Sequence, residues 1–143
     1  MKISSREIKK AGLKTWENFK RVIPAILSIF ILVSFLKVVV PKEFYAKIFS
    51  GIPILDALIG AILGSISAGN PLTSYVMGGE ILDQGVALVA IVAFLLSWVT
   101  VGIIQLPAES LILGKKFALV RNLVSFVSAI VIAILVVLTL SII

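Results

Sequence analysis

The chain has 143 residues, 60% of them hydrophobic and 14% charged, with a mean hydropathy of +1.20. Soluble domains carry about 25% charged residues, so this composition excludes an ordinary water-soluble globule and points to the bilayer as solvent. There is no cysteine and no histidine, which excludes disulfides, thiolate chemistry, the commonest metal ligand and the usual neutral-pH acid–base group.

The formal charge of +6 is concentrated at the start of the chain. Lys2, Arg6, Lys9, Lys10, Lys14, Lys20 and Arg21 are seven of the thirteen basic residues and precede the first long apolar run. No zinc pattern or soluble fold accompanies them, so nucleic acid is not the implied partner. The cluster reads as a positive-inside anchor that keeps the N-terminus cytoplasmic. Ile8, Leu13, Trp16 and Phe19 form a rough helical stripe, which predicts a short interfacial helix over Ile3 to Phe19. Residues 1–21 are therefore a basic leader, and 22–143 a single membrane domain. The basic region is too long for a signal peptide, and no small-x-small cleavage site follows Leu36, so the first span is expected to be retained.

That span is expected over residues 22–40. It has no charge from Val22 to Leu36, and Lys37 can snorkel toward the headgroups. Pro24 falls in the expected first turn, where a missing N–H costs little, and Pro41 marks the end. Lys42 to Phe49 reads as an amphipathic interfacial piece anchored by Phe44, Tyr45, Ile48 and Phe49.

Residues 54–83 are the most informative. A helix rich in small residues contains the pair Gly60 and Gly64, a spacing that lets helix backbones approach closely in lipid. That face is the expected contact between copies of the chain. The helix then meets Gly69-Asn70-Pro71, a strong breaker. A short helical piece is expected over Leu72 to Met77, interrupted by Gly78-Gly79, with Glu80 and Asp83 after it. Two topologies are open: a kinked ordinary span, or a hairpin that dips in and returns to the same side. A full crossing puts Lys115, Lys116 and Arg121 outside and divides the basic residues seven to six. A re-entrant hairpin puts them inside and divides the basic residues ten to three, with Lys37, Lys42 and Lys47 outside. The positive-inside rule favours the hairpin, as does the short first piece, since a full crossing needs about 20 residues. Broken backbone in a membrane must be buried in protein or line a cavity.

A further span is expected over residues 85–106, with a small, partly polar face of Ala87, Ala90, Ala93, Ser97, Thr100 and Gly102. Trp98 is read as packing. Pro107 breaks the chain, Glu109 follows, and Ser110 to Leu113 leads to Gly114. The last span is expected over residues 122–143, with a small seam of Ser125, Ala129 and Ala133. The fold class is an all-α integral membrane protein with about three transmembrane spans plus a broken or re-entrant helical hairpin. Its expected place is the cell membrane, multi-pass.

The stretch Ile59 to Pro71, Ile-Gly-Ala-Ile-Leu-Gly-Ser-Ile-Ser-Ala-Gly-Asn-Pro, followed by Gly85 to Ser97, resembles one half of the predicted permease family that includes organoarsenical efflux permeases. In that family a Gly-Ser-Ile-Pro-like turn precedes a Gly- and Ala-rich helix ending in Ala-x-x-Ala-Phe-Leu, and a Pro-containing break follows. Gly64, Ser65, Ile66, Ser67, Gly69, Asn70 and Pro71 match the turn. Gly85, Ala90, Ala93, Phe94 and Leu95 match the helix, and Gln105, Leu106, Pro107 and Glu109 the later break. The resemblance covers about Ile54 to Gly114 and implies a half-size permease with one repeat where full members hold two. Ser67 stands where Pro or Cys is expected, and the sequence has no cysteine, which argues against a thiol-dependent arsenical route.

Transporters commonly place broken helices at the interface of two repeats, and so small a chain needs partners to enclose a conduit. The expectation is a permease subunit that moves a small solute as a homo-oligomer, or with a paralogous half-permease. The alternative is a structural or accessory membrane protein without transport. Asn70 is the leading site residue, since its amide can bind solute or cap a half-helix. Gly69, Pro71, Ser65 and Ser67 surround it. Asp56, Glu80 and Asp83 are candidates for cation or proton binding if they face a cavity. Glu109 is a candidate for a helix cap or a gate. Ser65, Ser67, Thr73 and Ser74 supply hydroxyls. No nucleophile–base pair, phosphate loop or metal cluster is present, so neither enzyme activity nor a cofactor or metal is expected. The implied partners are the lipid bilayer, a small solute and further copies of the chain.

Overall fold

The computed structural model describes residues 5–39, 42–67 and 69–142, and it is helical throughout. Pro41, expected to end the first span, Ala68 within the break, and Lys2 and Ile3 of the leader lie outside the described residues. Seven helices follow in order: α1 (Ser5–Val39), α2 (Lys42–Ile48), α3 (Pro53–Ile66), α4 (Pro71–Asp83), α5 (Leu88–Thr100), α6 (Leu106–Leu113) and α7 (Lys115–Leu140). The chain divides into two units near Val38, so α1 is described by itself.

In α1, the expected boundary between an interfacial helix and a first span is absent. One helix runs through both, with Pro24 inside it rather than in its first turn. No glycine, turn sequence or capping residue separates Phe19 from Val22, so the helix continues through Pro24, where the lost N–H and the ring's crowding of the preceding turn together cost about 3 kcal/mol.

In the second unit, α7 sets the frame. It has 26 residues, and among the described residues it is the one helix long and apolar enough to cross a membrane. At 1.5 Å per residue it extends about 39 Å, beyond the ~30 Å of hydrocarbon. Leu123, Val127, Val131, Leu135 and Leu138 along it are exposed, an arrangement suited to lipid and unfavourable in water. It begins seven residues before the expected span, because Gly114, at φ +89°, ends α6 and the strong helix formers after it start the next helix at once.

The apolar helices α3 and α5 are shorter, 14 and 13 residues. They pack along each other in the same direction. A Cβ on Gly60 would overlap the carbonyl oxygen of Ala90, and one on Gly64 would overlap that of Phe94 and lie 3.0 Å from the Ser97 Cβ. The register therefore rises together on both helices. The glycines are there because backbone meets backbone. This corrects the expected use of that face between copies: α5 of the same chain occupies it. Helix α7 runs the opposite way. Its Ala133 joins Ala57, Ala61, Val89 and Ala93 in a core of small side chains, with Phe126, Ile130 and Ile134 packed around them.

The break at residues 67–70 separates α3 from α4 as expected, but Gly78-Gly79 does not interrupt α4. Two glycines cost a helix about 1 kcal/mol each and do not by themselves stop it. Gly78 is buried, and a Cβ there would press on Leu95 and Ile91 of α5 at 3.2 and 3.3 Å. The span expected over residues 85–106 is reduced at both ends. Gly85 takes φ +92°, and Ala87 and Val101 are extended, leaving only Leu88–Thr100 helical.

Candidate functional site: two helix breaks at one end of the α3–α5 pair

At the first break, Ser67 leaves the helix with φ −78° and ψ 143°. Its hydroxyl donates back to the Leu63 carbonyl at 2.6 Å, and its N–H donates to the Gly64 carbonyl at 3.2 Å. Ser65 is buried and donates to the Ile62 carbonyl. Asn70 is extended, and its Oδ1 accepts from the Leu72 N–H at 2.9 Å, so it is the N-cap of α4. Pro71 occupies the first turn, where it gives up no helical bond. Thr73 N–H donates to the Asn70 carbonyl, and the fully buried Ser74 hydroxyl donates to that of Pro71. Beneath the break lies Trp98. Its indole Nε1 is 3.5 Å from the Gly69 carbonyl, which accepts its hydrogen, and a Cβ on Gly69 would lie 3.2 Å from the indole ring. Trp98 is thus more than packing: it supports the turn and meets Phe94 edge to face, with centroids 5.3 Å apart.

The second break, between Thr100 and Leu106, lies at the same end of the pair, only two residues past Trp98. Its backbone groups are held by α7. Asn122, 6% exposed, accepts the Gly102 N–H on Oδ1 at 2.9 Å. Its amide donates to the Ala118 carbonyl at 3.0 Å and to Glu109 Oε2 at 3.3 Å. Arg121 pairs with Glu109 at 2.8 Å and reaches the Thr100 carbonyl at 3.4 Å. The guanidinium Nε is buried without a partner, as is the Ser97 hydroxyl. Glu109 is therefore one member of an Arg–Asn–Glu cluster that caps the C-terminal end of α5. The cluster sits where α7 passes from its charged first turns to its apolar run.

The remaining acidic candidates are elsewhere. Asp83 is exposed at the far end of α4, about 18 Å of helix from Pro71. Glu80 accepts from the Gln84 amide at 3.4 Å. Asp56, 1% exposed, receives the Ser50 N–H and hydroxyl at 2.8 and 3.2 Å and the Gly51 N–H at 3.1 Å. It ties the loop before α3 to that helix's first turn, where a carboxylate is favoured. It also borders a pocket of about 300 Å³ with Tyr45, Gln84 and Gly85. The structure brings Ser65, Ser67, Gly69, Asn70 and Pro71 together and places Glu109 at the neighbouring break, but Glu80 and Asp83 belong to the opposite end. Sequence reasoning missed Trp98, Arg121 and Asn122 as site residues. An Arg-Asn pair at the head of an apolar run is the signal that was available for the last two.

A helix long and apolar enough to cross a membrane, packed against short apolar helices that end in polar breaks, is consistent with a transport-related membrane protein. The family comparison makes it particular: residues 15–141 match the ArsP_1 family, described as predicted permeases, and the chain belongs to that family. The match covers almost the whole chain, well beyond the Ile54 to Gly114 stretch that carries the resemblance in sequence. No curated protein and no solved structure matches it. Among the described residues no group of three His, Cys, Asp or Glu side chains is placed to hold a metal.

Proposed function

We propose that the chain is a half-size permease subunit that moves a small solute, with the conduit formed between copies and lined by the broken ends of α3, α4 and α5. The observation that carries this reading is the first break. Asn70, Pro71 and Leu72 are exposed, beside a backbone turn that is not continuous helix. In a bilayer, exposed backbone and amide groups cost several kcal/mol each unless water, protein or solute meets them. Within the bundle, α3, α5 and α7 meet through Gly and Ala, which leaves no room for a solute between them. A conduit over the break therefore needs a second surface, from another copy or a paralogous half.

The proposed topology has the hairpin of α3 and α4 entering and leaving on the outer side, with the N-terminus and the Lys115 to Arg121 turn cytoplasmic. Because Oδ1 of Asn70 serves as the cap, its amide nitrogen is the group offered to solute. Gly69, Ser65 and Ser67 shape the turn. Glu109 governs the mouth through its pairing with Arg121, and Glu80 and Asp83 lie at the opposite opening. The second break supports the accessory-protein reading better, since α7 already satisfies it.

The test is flux in proteoliposomes. Osmotic swelling in glycerol and uptake of a trivalent methylarsenical are measured for the wild type and Asn70→Ala. The permease reading expects flux of at least one probe, reduced tenfold or more in the variant, with oligomer mass unchanged. Loss of the cap costs about 1 kcal/mol, small enough for the variant to fold. Flux that is undiminished in Asn70→Ala would make the break a structural turn.

A further inference from the structure

We infer that the junction of α6 and α7 is a binding site for one anionic phospholipid. An apolar groove of about 420 Å³ runs between the two helices, lined by Leu106, Pro107, Ser110, Leu111 and Leu119, with Lys115 at its rim. A second depression adjoins it at the helix junction, where Gly114, Lys116 and Phe117 join Lys115. No acidic side chain lines either one. The single hydroxyl in the groove, that of Ser110, is already donated to the Leu106 carbonyl at 2.6 Å. The slot is therefore apolar along its length and positive at one end.

Depth decides the occupant. The groove lies at the start of Lys115–Leu140, the helix long and apolar enough to cross a membrane, and in a bilayer that start falls where acyl chains end and headgroups begin. Leu111 is 88% exposed there. A lipid tail fills such a slot, and a phosphate complements the two lysines. The start of α7 adds to the positive end. Gly114 has no side chain to cap the helix, so no side chain satisfies its first N–H groups, and free N–H groups at a helix start favour an anion. A zwitterionic lipid gains the slot but little from the lysines. Inorganic phosphate gains the lysines but not the slot. This inference does not depend on transport and stands or falls separately from it.

The experiment uses the full chain in dodecyl maltoside micelles doped with phosphatidylglycerol or, at the same mole fraction, phosphatidylcholine. Native mass spectrometry reads retained lipid and thermal melting reads stabilisation. Phosphatidylglycerol is expected to stay bound and to raise the melting temperature, and phosphatidylcholine to be retained and to stabilise markedly less at matched concentration. Near a surface each lysine contributes about 1 kcal/mol toward an anionic lipid, so Lys115→Gln with Lys116→Gln is expected to weaken phosphatidylglycerol roughly thirtyfold. High salt is expected to reduce the preference. Ser110→Phe, which fills the groove and leaves the lysines, is expected to lower retention without changing the salt dependence. Equal retention of the two lipids overturns the inference. So does a preference that survives the double lysine change, an equal melting rise from inorganic phosphate, or a second protein copy bound in place of lipid mass.

Discussion

Gly60→Ala adds a single methyl group at the centre of the α3–α5 contact. That methyl would overlap the Ala90 carbonyl oxygen and lie 2.9 Å from its carbon and 3.1 Å from its Cα. All three are backbone atoms of a helix, so no rotamer change relieves the clash. Restoring van der Waals contact moves α5 outward by roughly 1 Å, and Ala57, Ala61, Val89 and Ala93 lose contact together because their side chains are too short to follow. Overpacking costs about 1–3 kcal/mol, and a backbone obstruction belongs at the upper end. Replacing a helical glycine returns about 1 kcal/mol of helix propensity, so the expected net loss is about 2 kcal/mol. That corresponds to a fall in melting temperature of roughly 4–8 °C. Two controls share the chemistry and differ in surroundings. A Cβ on Gly79 meets nothing within 4 Å, so Gly79→Ala is expected to stabilise by about 0.5–1 kcal/mol. One on Gly78 meets side-chain atoms of Leu95 and Ile91 at 3.2–3.5 Å rather than backbone; these give by a few tenths of an ångström, which offsets the gain in helix propensity, so Gly78→Ala is expected to be near neutral. Melting of the detergent-solubilised variants, followed by circular dichroism, gives the order Gly79→Ala, wild type or Gly78→Ala, then Gly60→Ala. Gly60→Ala melting at or above wild type would refute the close-packing argument.

Asn122→Leu keeps the side-chain size but removes the acceptor of the half-buried Gly102 N–H and a donor to Glu109; a loss of about 1–3 kcal/mol is expected, with faster amide exchange at Gly102 than in the rest of the bundle. Lys116→Cys in intact cells is expected to resist an impermeant thiol reagent and to react after permeabilisation. Labelling from outside would reverse the proposed orientation and with it the re-entrant reading of α3 and α4.

The readable parts of the fold are those with local causes. The α3–α4 break follows from Gly69 and Pro71, whose backbone chemistry acts within a turn, and the small-residue face of α3 follows from its spacing. What could not be read depends on partners distant in sequence. The Gly60 and Gly64 face looks the same whether it meets another copy or α5, and only the fold shows that α5 fills it. The end of α5 at Thr100 rests on Arg121 and Asn122, about twenty positions away, which take up the freed Thr100 carbonyl and Gly102 N–H. Gly78-Gly79 looked like a break because glycine often marks one, yet at Gly78 its small size admits two larger side chains from α5. Pro24 was misplaced for a related reason: a long helix with no competing stop signal absorbs one proline.

The interface of α3 with α5 and α7 has a mechanical consequence. Gly60, Gly64, Ala57, Ala61, Ala93 and Ala133 have no rotamers to exchange, so this contact has no second well-packed arrangement to switch into. Any change of shape that a transport cycle demands must then pass around a stiff block rather than through it. Helix α4 is the part of the bundle best suited to yield. It meets α5 through the glycine face at Gly78, and it is bounded by Pro71 in its first turn and by Gly85, which adopts a φ of +92°. In the proposed permease, the block is the stator, and any swing falls to the short helix after the break.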